Sequence, residues 1–371
     1  MELPDVGFEE LILYITGPTY IRPDVMLAGL YPVFGHRDTE ATKRLEPSMR
    51  NLKRIAEVGD GYRVVLIPGT GSNAMESSIR SLVRDDEKVL CVSVGEFGDL
   101  YHKMATTNGK KAELLRFDSG QSIDMNQLDD NLRRLRPAVV AMTHNETSTG
   151  VVNDVAAASR LARSYGALPL VDGVSIFGGA HSHIEEADIA IYSTSTQKCL
   201  GLPAGLGIAI VSGEALEKAK SVENRGYTTD ILAHADSAAK FQTLTTTPTQ
   251  LANQLFYQTG YIVEQEGVET RFRRHEKMRD LTHEWVRTLP DGFGLFTEPG
   301  AASPTLTCIR VPESLDRDAL KEAMRARGYL FDPGYKKMKV PTIRIGHMGD
   351  ITPDMLREYL SSLRMELDQM L

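Results

Sequence analysis

Between residues 62 and 213 the sequence alternates short apolar runs with stretches of helical spacing, and this alternation admits few architectures. YRVVLIPG (62–69), KVLCVSV (88–94), AELLRF (112–117), PAVVAMTHNE (137–146), ALPLVDG (167–173), IAIYSTS (189–195) and GLGIAIVSG (205–213) read as buried strands. Their near-continuous Val, Ile and Leu content, without strict alternation, suits a sheet covered on both faces. Between them, AMESSIRSLVRD, MNQLDDNLRRLR and DVAAASRLARSYG space apolar residues helically beneath charged outer faces. Strands alternating with helices predict an α/β domain with a mainly parallel, seven-stranded sheet.

The last third follows another pattern. Residues 249–289 form a long helical stretch in which Gly260 and Gly267 are candidate interruptions. Strand-like 305–311, helical 317–328, strand-like 342–348 and a final helix from residue 352 follow, which together describe a smaller α+β domain. A chain of 371 residues is long for one core. The expected division is a large domain over 21–265 and a small domain over 1–20 and 266–371, hinged near 260–275.

The formal net charge of −8 argues against a nucleic-acid or anionic-membrane partner, though a local pocket can still take a small anion. Cys91, Cys199 and Cys308 are too few for a disulfide framework and form no metal-ligand pattern, so no metal is expected. The N-terminus lacks the basic stretch of a secretory signal, and no run reaches about 18 apolar residues. A soluble cytoplasmic protein is the expectation.

In an open α/β sheet, ligands gather outside the carboxyl ends of the strands. The first run ends at Gly69-Thr70-Gly71-Ser72-Asn73 and passes directly into a helix. Free backbone N–H groups, hydroxyls and a positive helix end suit a phosphate there. The second delivers Phe97 between two glycines, the fourth His144-Asn145-Glu146-Thr147-Ser148-Thr149-Gly150, and the fifth Asp172-Gly173-Val174-Ser175. The sixth ends at Ser193-Thr194-Ser195-Thr196-Gln197-Lys198-Cys199. Each feature has a plain alternative: Gly69-Thr70-Gly71 also fits a dinucleotide turn, Asp172 a helix cap and Phe97 simple packing. Lys198 is harder to explain structurally. Small, mostly uncharged neighbours lower a lysine's pKa, which its nucleophilic form requires. A phosphate cradle, an aromatic, a carboxylate and a shielded lysine are the contacts an aldehyde-bearing pyridine phosphate needs.

On these residues the chain resembles the fold-type I pyridoxal-phosphate (PLP) enzymes of aminotransferase class V. Its nearest branches there are the alanine–glyoxylate/serine–pyruvate and 2-aminoethylphosphonate–pyruvate enzymes. The likeness runs from TGPTYIRPDV (16–25) to RIGHMGDIT (344–352), and VDGVSIFGG…ADIAIYSTSTQKCLGLPAGLG (171–207) is its most specific block. The resemblance implies that Lys198 is the Schiff-base lysine and proton carrier, and that Asp172 pairs with the pyridinium nitrogen. Val174 and Phe97 would cover the two ring faces, with Phe97 standing where relatives often carry Trp or Tyr. Thr70, Gly71, Ser72 and Gln197 would hold the phosphate, and Thr147 would bond near the ring hydroxyl. Thr246 would reach the phosphate of a second subunit, which implies a homodimer with shared sites. Arg344 matches the arginine that forks onto a substrate carboxylate, a task suited to its planar guanidinium; its plain alternative is a surface residue at a strand edge.

Transamination from a small donor such as alanine or serine to glyoxylate or pyruvate is the first expectation. A second is 2-aminoethylphosphonate transamination, with His36 and Arg37 receiving the additional anion; the plain alternative pairs Arg37 with Asp38 or Glu40. Cysteine desulfuration would need a mobile thiol, which neither Cys199 nor Cys308 resembles. A nucleotide-dependent dehydrogenase would leave Lys198, Asp172 and Arg344 without tasks, and an intact set of contacts argues against a non-catalytic relative.

Overall fold

The computed structural model describes residues 9–335 and 340–371. The seven apolar runs form one sheet from β1 (Tyr62–Gly69), β2 (Lys88–Ser93), β3 (Lys111–Arg116), β4 (Val139–Thr143), β5 (Leu168–Asp172), β6 (Ile191–Ser195) and β7 (Gly205–Ser212). Their order is β1-β7-β6-β5-β4-β2-β3, with β7 antiparallel to both neighbours and every other pair parallel. Every residue of β4, β5 and β6 is buried, whereas β3, at the sheet edge, is largely exposed. Thr143 lies opposite Asp172, and Asp172 opposite Ser193, so β4 and β5 end level and β6 runs two residues further at the same edge. The run at 137–146 is not one strand. Beyond Thr143 the chain turns, and Asn145–Glu146 pairs back on Val151–Val152.

Local capping decides where several helices begin. The helix Gly71–Leu82 starts at Thr70, whose N–H donates to Asn73 Oδ1 at 2.8 Å. That is three residues earlier than its apolar spacing alone indicates, because caps precede the amphipathic stretch. Asp38 caps the helix Thr39–Ile55 by accepting from Glu40 N at 3.0 Å. The mixed-charge run is therefore a helix start rather than an ion-pair loop, and Glu40 pairs with Arg44 at 2.8 Å instead.

The long helical stretch is three pieces: Thr249–Gly260, a wide turn over Tyr261–Glu266, and Val268–Val286. Gly260 keeps helical geometry (φ −61°), while Gly267 at φ +80° makes the break, a conformation costly for any side chain. Three antiparallel strands follow, β8 (Gly294–Leu295), β9 (Leu306–Arg310) and β10 (Thr342–Gly346), and the helix Pro353–Met370 closes the chain. Ile12–Leu13 joins this part by pairing in parallel with Tyr329–Leu330. Buried apolar residues fall into two principal clusters. One spans Val25 to Val263 with Ala301, and the other combines Tyr14 with residues from Met278 to Leu367. From these cores we propose the division at 20/21 and 265/266; residues 1–8 of the small part lie outside the described residues.

Arg271 joins the two parts. It is fully buried, and its guanidinium donates to Asp350 at 2.8 Å, Glu266 at 2.6 Å, Gly178 O at 3.1 Å and Cys199 O at 2.6 Å. Removing one member of such a network strands the opposite charge away from water. Arg271→Ala is therefore expected to lower the unfolding free energy by about 3–5 kcal/mol. Arg54→Ala, which loses only an exposed pair with Glu264, should stay within about 0.5 kcal/mol. Denaturant titration of both variants measures the difference.

Candidate active site

The carboxyl ends of the sheet enclose a cavity of about 290 Å³. Thr70, Gly71 and Ser72 approach it from the end of β1 and the following helix, and Phe97 from the first turn of the helix Glu96–Thr107 after β2. Asp172 and Val174 arrive from β5, Gln197 and Lys198 from the turn after β6, and Thr147 from the buried segment after β4. Gly17, Pro18, Met75 and Ala204 complete the wall. Nine of the residues singled out from the sequence thus line one cavity. A side chain at position 71 would intrude, since a Cβ there would lie 2.6 Å from Val174 Cγ2. The first N–H groups of a helix have no intrahelical partner, so this glycine end offers donors to an anion.

Burial dominates the electrostatics. It pushes the Lys198 amine down to about 8, with the Arg344 guanidinium adding to the depression and Asp172 and Asp332 opposing it. The same burial pushes the Asp172 carboxyl up to about 7, against the pull of a 2.8 Å hydrogen bond donated by Val174 N. Asp172 is both the turn former its position suggests and a wall of the cavity. Lys198 Nζ donates to Thr16 O, which ties the amine to the N-terminal segment.

Two residues of the His144–Gly150 segment, to which the sequence assigned no role, support the site. Glu146 is fully buried at the start of the helix Glu96–Thr107 and accepts from Phe97 N and Gly98 N, each at 3.1 Å. It also accepts from Ser148 Oγ at 2.6 Å, so it fixes the backbone that carries the Phe97 ring. No sequence signal links positions 97 and 146, because their proximity is created by the β2–β4 pairing. Beside Asp172, His144 N donates to the Asp172 carbonyl at 2.8 Å, and His144 Nδ1 lies 2.9 Å from Tyr192 Oη. Burial pushes His144 down to about 3, so it stays neutral beside the acid.

Arg344 is buried on β10, not at a surface edge. Its Nη1 donates to Thr147 O at 3.0 Å, while Nη2 meets Asp332 Oδ2 at 3.0 Å. Arg37 does not line the cavity. It donates to Gln242 Oε1 at 3.1 Å, Thr243 O at 2.7 Å and Leu244 O at 2.8 Å, bracing the segment that leads to exposed Thr246. Cys199 and Cys308 are buried, and burial pushes both thiols up to about 12. Among the described residues no cluster of His, Cys, Asp and Glu could hold a metal ion, and no helix is long and apolar enough to cross a membrane.

The family model for aminotransferase class V matches residues 33–328. An uncharacterized aminotransferase of Methanocaldococcus jannaschii is 30% identical over 91% of this chain and 88% of its own length. The serine–glyoxylate aminotransferase of Hyphomicrobium methylovorum is 31% identical over 96% of this chain and 89% of its own. Among solved structures, the alanine–glyoxylate aminotransferase of a Nostoc species superposes with a TM-score of 0.91. At 24% identity, covering 99% of this chain and 98% of that one, it establishes a likeness of fold.

An amine depressed to about 8 is mostly neutral only above that pH. In the protein freed of small ligands, labelling of Lys198 by an amine-acylating reagent is expected to rise with pH and reach half its maximum near 8. Arg344→Gln removes a charge that depresses this amine and should move the midpoint upward. Peptide mass spectrometry across a pH series reads both midpoints.

Proposed function

The chain belongs to the class V aminotransferases and has the fold-type I architecture, and from that premise we propose that it is a PLP-dependent transaminase passing an amino group from a small amino acid of the alanine or serine type to a 2-oxo acid such as glyoxylate or pyruvate. The observation that carries this reading is a single cavity walled by a depressed amine, Lys198, and a raised carboxyl, Asp172. Reciprocal shifts of that kind mark chemistry rather than packing.

The residues present fit the cofactor. Ser195 Oγ, at the strand end that leads to Lys198, is buried without a hydrogen-bond partner among the described residues. Together with the hydroxyls of Thr70 and Ser72 and the helix N-terminus, it supplies donors for an anion. Phe97 and Val174 supply two apolar surfaces for the faces of a flat ring, and Thr147 offers a hydroxyl at its rim. Bound pyridoxal phosphate supplies an aldehyde that takes up a primary amine and a ring that accepts the electron pair left when the substrate Cα–H bond breaks.

The protein's own groups do the rest. Lys198 Nζ would hold the cofactor and would be the base able to take the substrate α-proton and return it. Its depressed pKa keeps a usable neutral fraction near physiological pH. Asp172 offers a carboxylate to the pyridine nitrogen. A cation against it favours its ionised form, reversing the effect of burial. Neutral His144 and Tyr192 add no charge that would compete for that carboxylate. Arg344 holds a substrate carboxylate. Thr246 is exposed on the segment braced by Arg37, which supports the reading that it would reach the phosphate of a second subunit in a homodimer with shared sites. Arg37 does not line the cavity and bonds the 242–244 segment, so the cavity as described gives a phosphonate donor no contact from it.

Borohydride reduction of the yellow protein should fix the cofactor to the peptide containing Lys198, and alanine or serine should transfer its amino group to glyoxylate or pyruvate. Lys198→Ala should lose both; fixation at another lysine, or no amino transfer, overturns the proposal. Asp172→Asn should keep the cofactor absorbance yet lower kcat by about a hundredfold or more, because the ring no longer has an anion opposite its nitrogen. Parallel spectra and initial rates distinguish that from loss of binding.

A further inference from the structure

Arg344 does not present an open guanidinium. Asp332 occupies one side of it, with Nε 3.3 Å from Oδ1 and Nη2 at 3.2 and 3.0 Å from the two carboxylate oxygens. Thr147 O takes a hydrogen from Nη1 at 3.0 Å. A guanidinium has five N–H groups. These contacts use one each on Nε, Nη1 and Nη2, counting the two oxygens at Nη2 as sharing one hydrogen. Among the described residues, one N–H on each terminal nitrogen remains without a partner, which is enough for a single carboxylate.

Asp332 is not free to leave. Its side chain is 7% exposed. It also accepts from Gly334 N at 3.0 Å, Thr16 Oγ1 at 3.1 Å and Thr16 N at 3.4 Å. The main chain adds a fourth tie, Arg344 N to Asp332 O at 3.2 Å. Asp332 is thus a fixed negative charge beside the anchor. Lys198 is the sole cation among the described residues lining the cavity, and its amine is needed for chemistry.

We propose that Asp332 is the specificity-determining residue of this site, restricting both amino donor and acceptor to monocarboxylates and rejecting dicarboxylates and phosphonates. The inference rests on the aminotransferase reading and deepens it. A donor such as alanine or serine places its one carboxylate on the free edge of Arg344 and brings no other anion. In aspartate the second carboxylate is separated from the first only by Cα and Cβ, so docking one carries the other toward the buried charge of Asp332. A phosphonate brings up to two negative charges to a guanidinium that already serves one. Like charges so placed in a water-poor site cost enough to discriminate at least about tenfold. Specificity here comes from a repulsive element beside the attractive one.

The test is a donor panel of alanine, serine, aspartate and 2-aminoethylphosphonate, run with pyruvate or glyoxylate on the PLP-loaded wild type and Asp332→Asn. In the wild type, kcat/KM for the better neutral donor should exceed that for either acidic donor by at least about tenfold. Asp332→Asn should narrow the ratio by about tenfold, chiefly through a lower KM for the acidic donors. The inference is overturned if the wild type uses an acidic donor as well as a neutral one. It is equally overturned if the variant slows all donors in the same proportion, which would make Asp332 only a brace for Arg344. Should Asp332→Asn not fold, Asp332→Ser takes its place, and the wild-type panel still decides the first criterion. Failure of the aminotransferase reading looks different, with no donor of either class turned over, and overturns both.

Discussion

The buried guanidinium of Arg271 is the interaction on which the arrangement of the site depends. A charge sealed from water is tolerated only where its partners are equally fixed. Burial alone would raise the Glu266 carboxyl, yet Arg271 and Arg274 hold it below its ordinary range. The remaining donors of Arg271 go to Gly178 O and Cys199 O, which lie on either side of the β6 strand in sequence. Gln258 adds a clamp by donating to Leu200 O at 2.7 Å and Asp350 at 2.8 Å. The turn immediately after Lys198 is therefore held by groups from the two long helical pieces and from the segment after β10. The lysine is rooted in a rigid frame, while its amine projects into the cavity.

That frame explains how one cavity can hold a depressed amine beside a raised acid. Both shifts have burial as their largest cause, and burial acts with opposite sign on a base and an acid. The charges that oppose the shifts, Asp172 and Asp332 acting on Lys198 and Lys198 acting on Asp172, do not outweigh burial. The network that fixes the turn has its own charges balanced a few residues away, so rigidity is obtained without placing those charges in the cavity.

The sequence made much of this legible, and the reason is local. Strand runs such as YRVVLIPG and GLGIAIVSG coincide with β1 and, within one residue, with β7, because continuous apolar content leaves a chain covered on both faces no other placement. Strand ends in an α/β sheet must converge on one edge, so Thr70, Asp172 and Lys198 could be grouped before any coordinate was known. Contacts created by tertiary pairing were not legible. Glu146 under Phe97, Asp332 against Arg344 and Arg37 on the 242–244 segment each join positions whose adjacency depends on sheet order or domain closure. The helix Glu96–Thr107 was missed for a related reason. Its N-terminus is satisfied by Glu146 from another strand, not by a capping residue of its own.

The segment His144–Gly150 shows how these long-range contacts make one unit of the site. All seven residues are buried although most are polar; the side chains of His144, Glu146 and Ser148 find partners, while Asn145 Oδ1 and Thr149 Oγ1 have none among the described residues. His144 bonds the backbone of Asp172, Glu146 holds the backbone of Phe97, and the Thr147 carbonyl receives Arg344. The acid on one wall, the aromatic on another and the Arg344 guanidinium from the C-terminal part are all referenced to the same short stretch of main chain. A displacement of that stretch by a fraction of an ångström would disturb all three at once, and reactions that depend on aligned groups are sensitive to shifts on that scale. These shared hydrogen bonds to one buried polar segment are thus the means by which the sheet and the C-terminal part of the chain present one geometry at the cavity.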